Sequence, residues 1–313
     1  LWSSDTLIRA RGRSRGDPTG CVFRAGTVHR FKSRGLSLLG ETGSLERFVD
    51  RARGRERSLV VVNRTRPEPL KRILSDMFAR QDVTVDERMN DEYDDDTVLL
   101  IDEGEVVTTS PLRELEEAIL LVNSDLFVTG TRELEETRIP AVMEELTDHL
   151  FTLRGYPESN KEKLLLIVVS RRIEQLAHSY GVGKLRTSFQ RLSRLEDERG
   201  TREAYDAVAN TDVDVHIYGR PDWVPSPNFD VTMHGGYKDD FRRSWFVLYD
   251  PPPEKVGEYD SAVLVAVEQD PGVWKAFWTY RREVVEDVAT YVRKTLRGRA
   301  GLFDGVQDPV EVV

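Results

Sequence analysis

Aromatic rings crowd the C-terminal half of this chain, and rings are what an apolar binding site is most often made of. Four of the five tryptophans lie between Trp223 and Trp278. Around them stand Phe189, Tyr205, Tyr218, Phe246, Tyr249, Phe277 and Tyr280, with Gln190 and Arg220 as polar handles. Such a set can line a small-molecule pocket. It can equally be core, where aromatic side chains usually go. If a pocket exists, the residues expected to line it are Phe189, Gln190, Tyr205, Tyr218, Arg220, Trp245 and Trp278. Glu174, His178 and Gln190 form the one polar group close enough in the predicted fold to invite catalytic inspection.

Other residue types give weaker signals. The histidines are His29, His149, His178, His216 and His234, and none falls in HxxxH spacing. The single cysteine, Cys21, offers no partner thiolate, so the zinc patterns are missing. His216 stands between Val215 and Ile217 in a strand and must point to the opposite face from them. Residues 86–105 hold ten acids and one base. Clustered carboxylates suit hard cations, but the spacing and the glycine of a calcium loop are missing, so a solvated acidic loop is expected. No GxSxG, phosphate loop or dinucleotide fingerprint occurs. Gly181-Val-Gly183 follows a helix and reads as its stop. No catalytic motif emerges, the expectation is a protein without catalysis, and no cofactor is specified.

The elements that must hold these residues follow from hydrophobic period. Ser44 opens a short helix with Leu45, Phe48 and Val49. Leu59–Val62 is a buried strand, and Pro67 opens a helix with Leu70, Ile73, Leu74, Met77 and Phe78 inward. A strand starts at Val83. A hairpin follows, 97–101 and 105–109, turning at Gly104. Ser110-Pro111 reads as the cap and first turn of a helix. Residues 139–180 read as helical in two pieces, one starting at Pro140 and one at Ser159. In the second, Leu166, Val169, Ile173, Leu176 and Tyr180 repeat at heptad spacing. That seam covers only about two heptads, short of a coiled coil, so packing within its own domain is favoured over a homodimer seam. Strands follow at 187–192, 213–218, 229–233, 245–249, 261–268 and 274–280. Helices are expected at 201–209 and 283–296. The strand at Trp245 is apolar on both faces and should be central and covered on both sides.

The expected fold is therefore α/β (α+β), with mixed sheets flanked by helices. Two domains share a strand-helix-strand-hairpin-helix order. Their bounds are a basic leader at 1–43, an N-terminal domain at 44–150, a connecting helix at 151–183, a second domain at 184–297 and a loose tail at 298–313.

Composition limits the partners. Charged residues make up 32%, the net charge is −10 and the pI is about 5.2. An acidic surface repels nucleic acid and anionic lipid. It also suits a salt-rich habitat. No apolar run is long enough to span a bilayer, and one thiol fits a reducing compartment, so a cytoplasmic location is expected. Residues 1–35 differ, with eight Lys or Arg against two Asp. Together with the opening Leu1, this reads as a disordered leader or misassigned start more readily than as a nucleic-acid arm.

The order of the second half resembles a known family. Ile173-Glu-Gln-Leu-Ala177, Thr187-Ser-Phe-Gln190, Ala204-Tyr205 with Val208-Ala209, and Val215-His-Ile-Tyr-Gly219 are similar to the DICT sensory domain. Trp245-Phe-Val-Leu248, Ala262-Val-Leu-Val-Ala266 and Phe277-Trp-Thr-Tyr280 continue the likeness over about residues 160–296. The whole chain resembles haloarchaeal signal-transduction proteins that carry this domain. The resemblance implies signal reception, through a small ligand or a signalling partner protein, with no catalytic residue to carry over. No cyclase, phosphodiesterase or kinase motif accompanies it. A ligand-free interaction scaffold and a transcription-associated regulator using the basic arm are the alternatives.

Overall fold

The structure, a computed structural model, describes residues 44–52, 57–66, 75, 78, 81, 83–123, 139–154, 161–197, 199–224 and 229–296. The leader, the loose tail, the basic arm and most of the helix expected from Pro67 lie outside these residues; within that helix, Ser75 and Phe78 are helical and Phe78 is buried.

The elements in chain order are α1 (Glu46–Arg51), β1 (Arg57–Val62), β2 (Val83–Arg88), β3 (Thr97–Asp102), β4 (Glu105–Pro111), α2 (Leu112–Asn123), α3 (Ala141–Glu144) and β5 (Phe151–Arg154). Then come α4 (Lys161–Tyr180), β6 (Val182–Arg191), α5 (Arg194–Asp197), α6 (Arg199–Ala209), β7 (Asp212–Arg220), β8 (Thr232–Gly235) and α7 (Asp239–Arg242). The chain continues through β9 (Ser244–Asp250), β10 (Ala262–Asp270), β11 (Val273–Thr279) and α8 (Arg282–Thr295).

Two mixed sheets result. The smaller has the order β2-β1-β3-β4, and the larger β5-β11-β10-β9-β6-β7-β8. The predicted repeat of element order is visible in their topology. In the small sheet β1 lies parallel to β2 and antiparallel to β3, which continues into β4. In the large one β6 lies parallel to β7 and antiparallel to β9, which pairs with β10. Each run closes with a helix, α2 or α8. The β3–β4 turn sits on Glu103 and Gly104, both at positive φ (50° and 84°), as a tight twisted hairpin requires.

Described residues on either side of residue 150 share one core. The described residues, from Ser44 to Leu296, form one compact unit. One apolar cluster takes in Leu59, Val61, Val98 and Leu100 of the small sheet and Leu185, Ile217, Val247 and Leu264 of the large one. Helix α4 ties the halves, packing on α2 and on β5, β6, β9 and β10. Its heptad residues Leu166, Val169, Ile173 and Leu176 are buried in that same cluster. The other face of the large sheet carries a second cluster, with Phe246, Leu248, Val265 and Phe277 under Phe48 and Val49 of α1 and Val285, Val288 and Val292 of α8. Strand β9 is fourth of seven and covered on both sides, as its two apolar faces foretell.

Three local expectations change. The helix from Pro140 is a single turn, and residues 151–154, assigned above to the connecting helix, form an edge strand on β11. Asp148, at φ 58°, turns the chain, and its N–H donates to the Trp278 carbonyl at 2.8 Å. Short apolar runs do not distinguish helix from strand by period alone. Ser110 does not cap α2; its hydroxyl accepts the Val142 N–H at 3.2 Å, a donor at the start of α3. In the acidic stretch, Asp96 accepts the N–H groups of Thr65 (2.8 Å) and Arg66 (3.1 Å) and fixes a loop.

Candidate functional site

Helix α4 puts Ile167, Ser170, Arg171 and Glu174 on one face, at spacings of three and four. That face meets Ser188, Phe189 and Gln190 of β6, with Trp245 of β9, Arg194 and Thr201 completing the lining. The cleft between them has a volume of about 80 Å³. It has room for a few heavy atoms, or for the head of a longer molecule entering from solvent.

Its floor is a buried polar network. Arg171, 6% exposed, binds Glu174 and donates to Thr201 Oγ1 at 2.9 Å. Glu174, 3% exposed, accepts the Tyr205 hydroxyl at 2.9 Å on its other oxygen. Burial, and then the Glu174 charge, hold the Tyr205 phenol well above its ordinary pKa. Phe189 stands edge-on to Tyr205 with ring centroids 5.5 Å apart. A desolvated ion pair costs several kcal/mol per charge unless its remaining valences are met. Here both carboxylate oxygens and both terminal nitrogens of the guanidinium are met by protein.

Two polar atoms at this cleft have no such partner among the described residues. Ser170, 5% exposed, has a buried hydroxyl with no hydrogen bond. Gln190 donates from Nε2 to the Ser244 carbonyl at 2.9 Å, which fixes its amide, yet its buried Oε1 accepts nothing. Ser188 holds the same Ser244 carbonyl at 3.1 Å. Unmet buried polar atoms are uncommon and each costs about 1–3 kcal/mol. Two at one small cleft, beside a half-buried tryptophan, are what a polar ligand would satisfy.

Of the residues expected to form a site, the structure joins Phe189, Gln190 and Trp245, with Tyr205 beneath them. Glu174 and Gln190 meet there too, while His178, one turn further along α4, does not line the cleft. The other three lie elsewhere. Tyr218 faces the opposite side of the sheet and stacks on His234, centroids 4.4 Å apart at 10°. Arg220 ends β7 and pairs with Asp222 at 3.5 Å. Trp278 is 1% exposed and stacks on Phe151 at 4.7 Å in the core. Ser170, Arg171 and Thr201 carry no motif. Their signal is that polar residues at i, i+1 and i+4 in a helix, here Ser170, Arg171 and Glu174, interrupt an otherwise apolar wrap.

His216 points away from Val215 and Ile217, as strand alternation requires. Its Nδ1 lies 3.1 Å from His234 Nε2, and its Nε2 lies 3.1 Å from Asp214. Asp214 accepts from Lys184 at 2.9 Å. With Nε2–H of His216 donating to Asp214, its Nδ1 accepts from His234. Desolvation drives both imidazole pKa values down, that of His234 to about 4.

Residues 141–268 match the family model of DICT, described as a sensory domain in diguanylate cyclases and two-component systems. The match opens at α3, includes every residue lining the cleft and ends within β10. This segment is similar to the DICT sensory domain. No match is found among the curated proteins. Among solved structures, the polyphosphate kinase of Porphyromonas gingivalis aligns over 55% of this chain and 26% of its own, at 15% identity and a TM-score of 0.32. The chain thus spans about a quarter of that enzyme's length. No helix among the described residues is long and apolar enough to cross a membrane.

Proposed function

We propose that the DICT-like segment is a non-catalytic receptor for a small polar molecule, bound between α4 and the β6–β9 surface. The observation that supports this most is the pair of unmet buried atoms, Ser170 Oγ and Gln190 Oε1, at a cleft floored by the Arg171–Glu174–Tyr205 network. The ligand offers an N–H or O–H to Gln190, exchanges a hydrogen bond with Ser170 and lays its less polar part on Trp245.

The signal leaves through α4. This helix lines the cleft on one face and packs on α2 of the small sheet and on four strands of the large one. At its end Tyr180 stacks on Tyr259, centroids 4.1 Å apart at 8°. A ligand that binds one setting of α4 more tightly than another shifts the population between them, and the difference in affinity sets the size of the shift. Output is then by contact with a signalling partner protein.

The test is mass spectrometry of small molecules released on denaturing the purified protein, set beside Gln190→Leu and Trp245→Ala. A stoichiometric compound in the wild type that both variants lack supports the receptor. A folded wild type that releases nothing, and gains no thermal stability from any member of a polar metabolite library, overturns it and favours the ligand-free scaffold.

A further inference from the structure

The opposite face of the large sheet carries a second and larger cleft, of about 610 Å³. Its walls are the start of β6, the Pro251–Pro253 turn after β9, and α8. Four cations line it, Lys184, Arg186, Arg282 and Arg293, against two carboxylates, Asp250 and Glu286. Lys184 is also held by Asp214 at 2.9 Å, which leaves the cleft an excess of one positive charge on a chain whose net charge is −10.

Arg186 is the informative residue. It is 5% exposed, its Nη1 has no hydrogen-bond partner, and no ion pair joins it to a carboxylate among the described residues. Its strand neighbours on this face are Lys184, His216 across from it on β7, and Leu248 on β9. Of the two carboxylates in the cleft, Glu286 is already engaged by Arg282 at 2.6 Å. Burial raises the pKa of the Asp250 carboxyl, and no ion pair joins it to Arg186 among the described residues. A buried guanidinium without a counter-ion is costly, and a guanidinium fork matches the oxygens of a phosphate group two at a time.

We infer that this cleft binds a phosphorylated small molecule, with Arg186 at its floor and Lys184, Arg282 and Arg293 around it. Three features select the class. A phosphate group presents three strong acceptor oxygens to the guanidinium fork and the cations around it, whereas a monocarboxylate presents two. The volume falls within the roughly 300–1,000 Å³ of small-molecule sites, so there is room for the organic part beside the phosphate. The three prolines, Pro251–Pro253, give that part a stiff apolar wall. The inference is independent of the α4 cleft, which lies on the other face of the sheet.

The experiment is calorimetric titration of the full chain with inorganic phosphate, pyrophosphate and acetate at constant ionic strength. Arg186→Gln, Arg282→Gln and Lys184→Gln are compared with Arg113→Gln, an exposed site on α2. Saturable binding of pyrophosphate and phosphate, little or none of acetate, a loss of about tenfold or more for Arg186→Gln and of a few fold for each rim variant is expected, with Arg113→Gln unchanged. Should Arg186→Gln fail to fold, the two rim variants decide alone. Absence of phosphate and pyrophosphate binding to the wild type at about 10 mM, well above typical small-molecule constants, overturns the inference. So does binding by the rim variants equal to that of wild type.

Discussion

Tyr205 in α6 donates its hydroxyl to Glu174 in α4 at 2.9 Å, and both side chains are almost wholly buried. This bond crosses from the helix that follows β6 to the helix that precedes it. It is the lower anchor of the α4 cleft. Tyr205→Phe removes the donor and leaves one Glu174 oxygen without it in a dry site. The expected loss is about 1–3 kcal/mol of folding stability, read as a lowered urea midpoint with unchanged slope. In Glu174→Gln the same tyrosine change costs less, because an uncharged acceptor is cheaper to leave unmet. Equal losses in both backgrounds remove the bond from the network.

The phenols give a second expectation, at alkaline pH. Burial raises the pKa of Tyr205, Tyr249, Tyr280 and Tyr291, and that of Tyr218 to about 12. In the unfolded chain each titrates near 10. A group whose folded pKa is raised lends stability that is complete below the unfolded value and is lost as pH rises through the folded one. Stability should therefore fall from about pH 10 upward. Ultraviolet titration should show fewer ionised tyrosines than the ten in the sequence until the protein unfolds. A smooth titration of all ten near pH 10 with the fold intact contradicts this.

The histidine pair acts at the other end of the scale. His216 and His234 are held neutral by desolvation, and His234 also by the neighbouring His216 and Arg186. The groups around them are Asp214, Lys184, Arg186 and Tyr218. Both pKa values are depressed from 6.5, so the stability they lend is present above that pH and is lost as pH falls toward about 4. The slope reaches at most about 1.4 kcal/mol per pH unit for each histidine. His234→Phe keeps a ring against Tyr218 and should flatten the acid limb between pH 6.5 and 4. Proton NMR should place the wild-type His234 titration near the lower end of that window. A titration near 6.5 would remove the basis for this expectation.

These contacts mark where sequence reasoning succeeds and where it stops. Period alone places β9 at the centre, because Trp245, Val247 and Tyr249 alternate with Phe246 and Leu248 and both sets need cover. It also separates His216 from its strand neighbours. It cannot tell which of many rings share a cavity, since Trp245 and Trp278 look alike as apolar residues on strands. One borders a cleft, while the other stacks on Phe151 of an edge strand whose period does not distinguish it from helix. The polar half of the candidate site was harder still. Ser170, Arg171 and Thr201 become a group only when α4 and α6 pack side by side, and no spacing in the chain encodes that contact.

Gly183 shows the same limit at a single residue and gives the last expectation. Gly181 ends α4 as a stop should, at φ 65° with its N–H on the Ala177 carbonyl at 2.9 Å. Gly183, two residues later, belongs to the same GxG spacing, but it lies inside β6 at φ 108°. A Cβ there would sit 2.8 Å from the Asp250 carbonyl oxygen, 3.1 Å from Pro251 Cα and 3.2 Å from the Tyr249 ring. Two of those three are backbone atoms and cannot swing aside. Gly183→Ala therefore meets both a forbidden φ and a hard contact where β6 joins β9, and should cost about 1–3 kcal/mol in chemical denaturation. Gly104→Ala has positive φ but open space around it, and should cost about 1 kcal/mol from φ alone. If the two substitutions cost the same, the close approach to Asp250 contributes nothing, and the tight junction of β6 with the Pro251 turn is not a constraint on the fold.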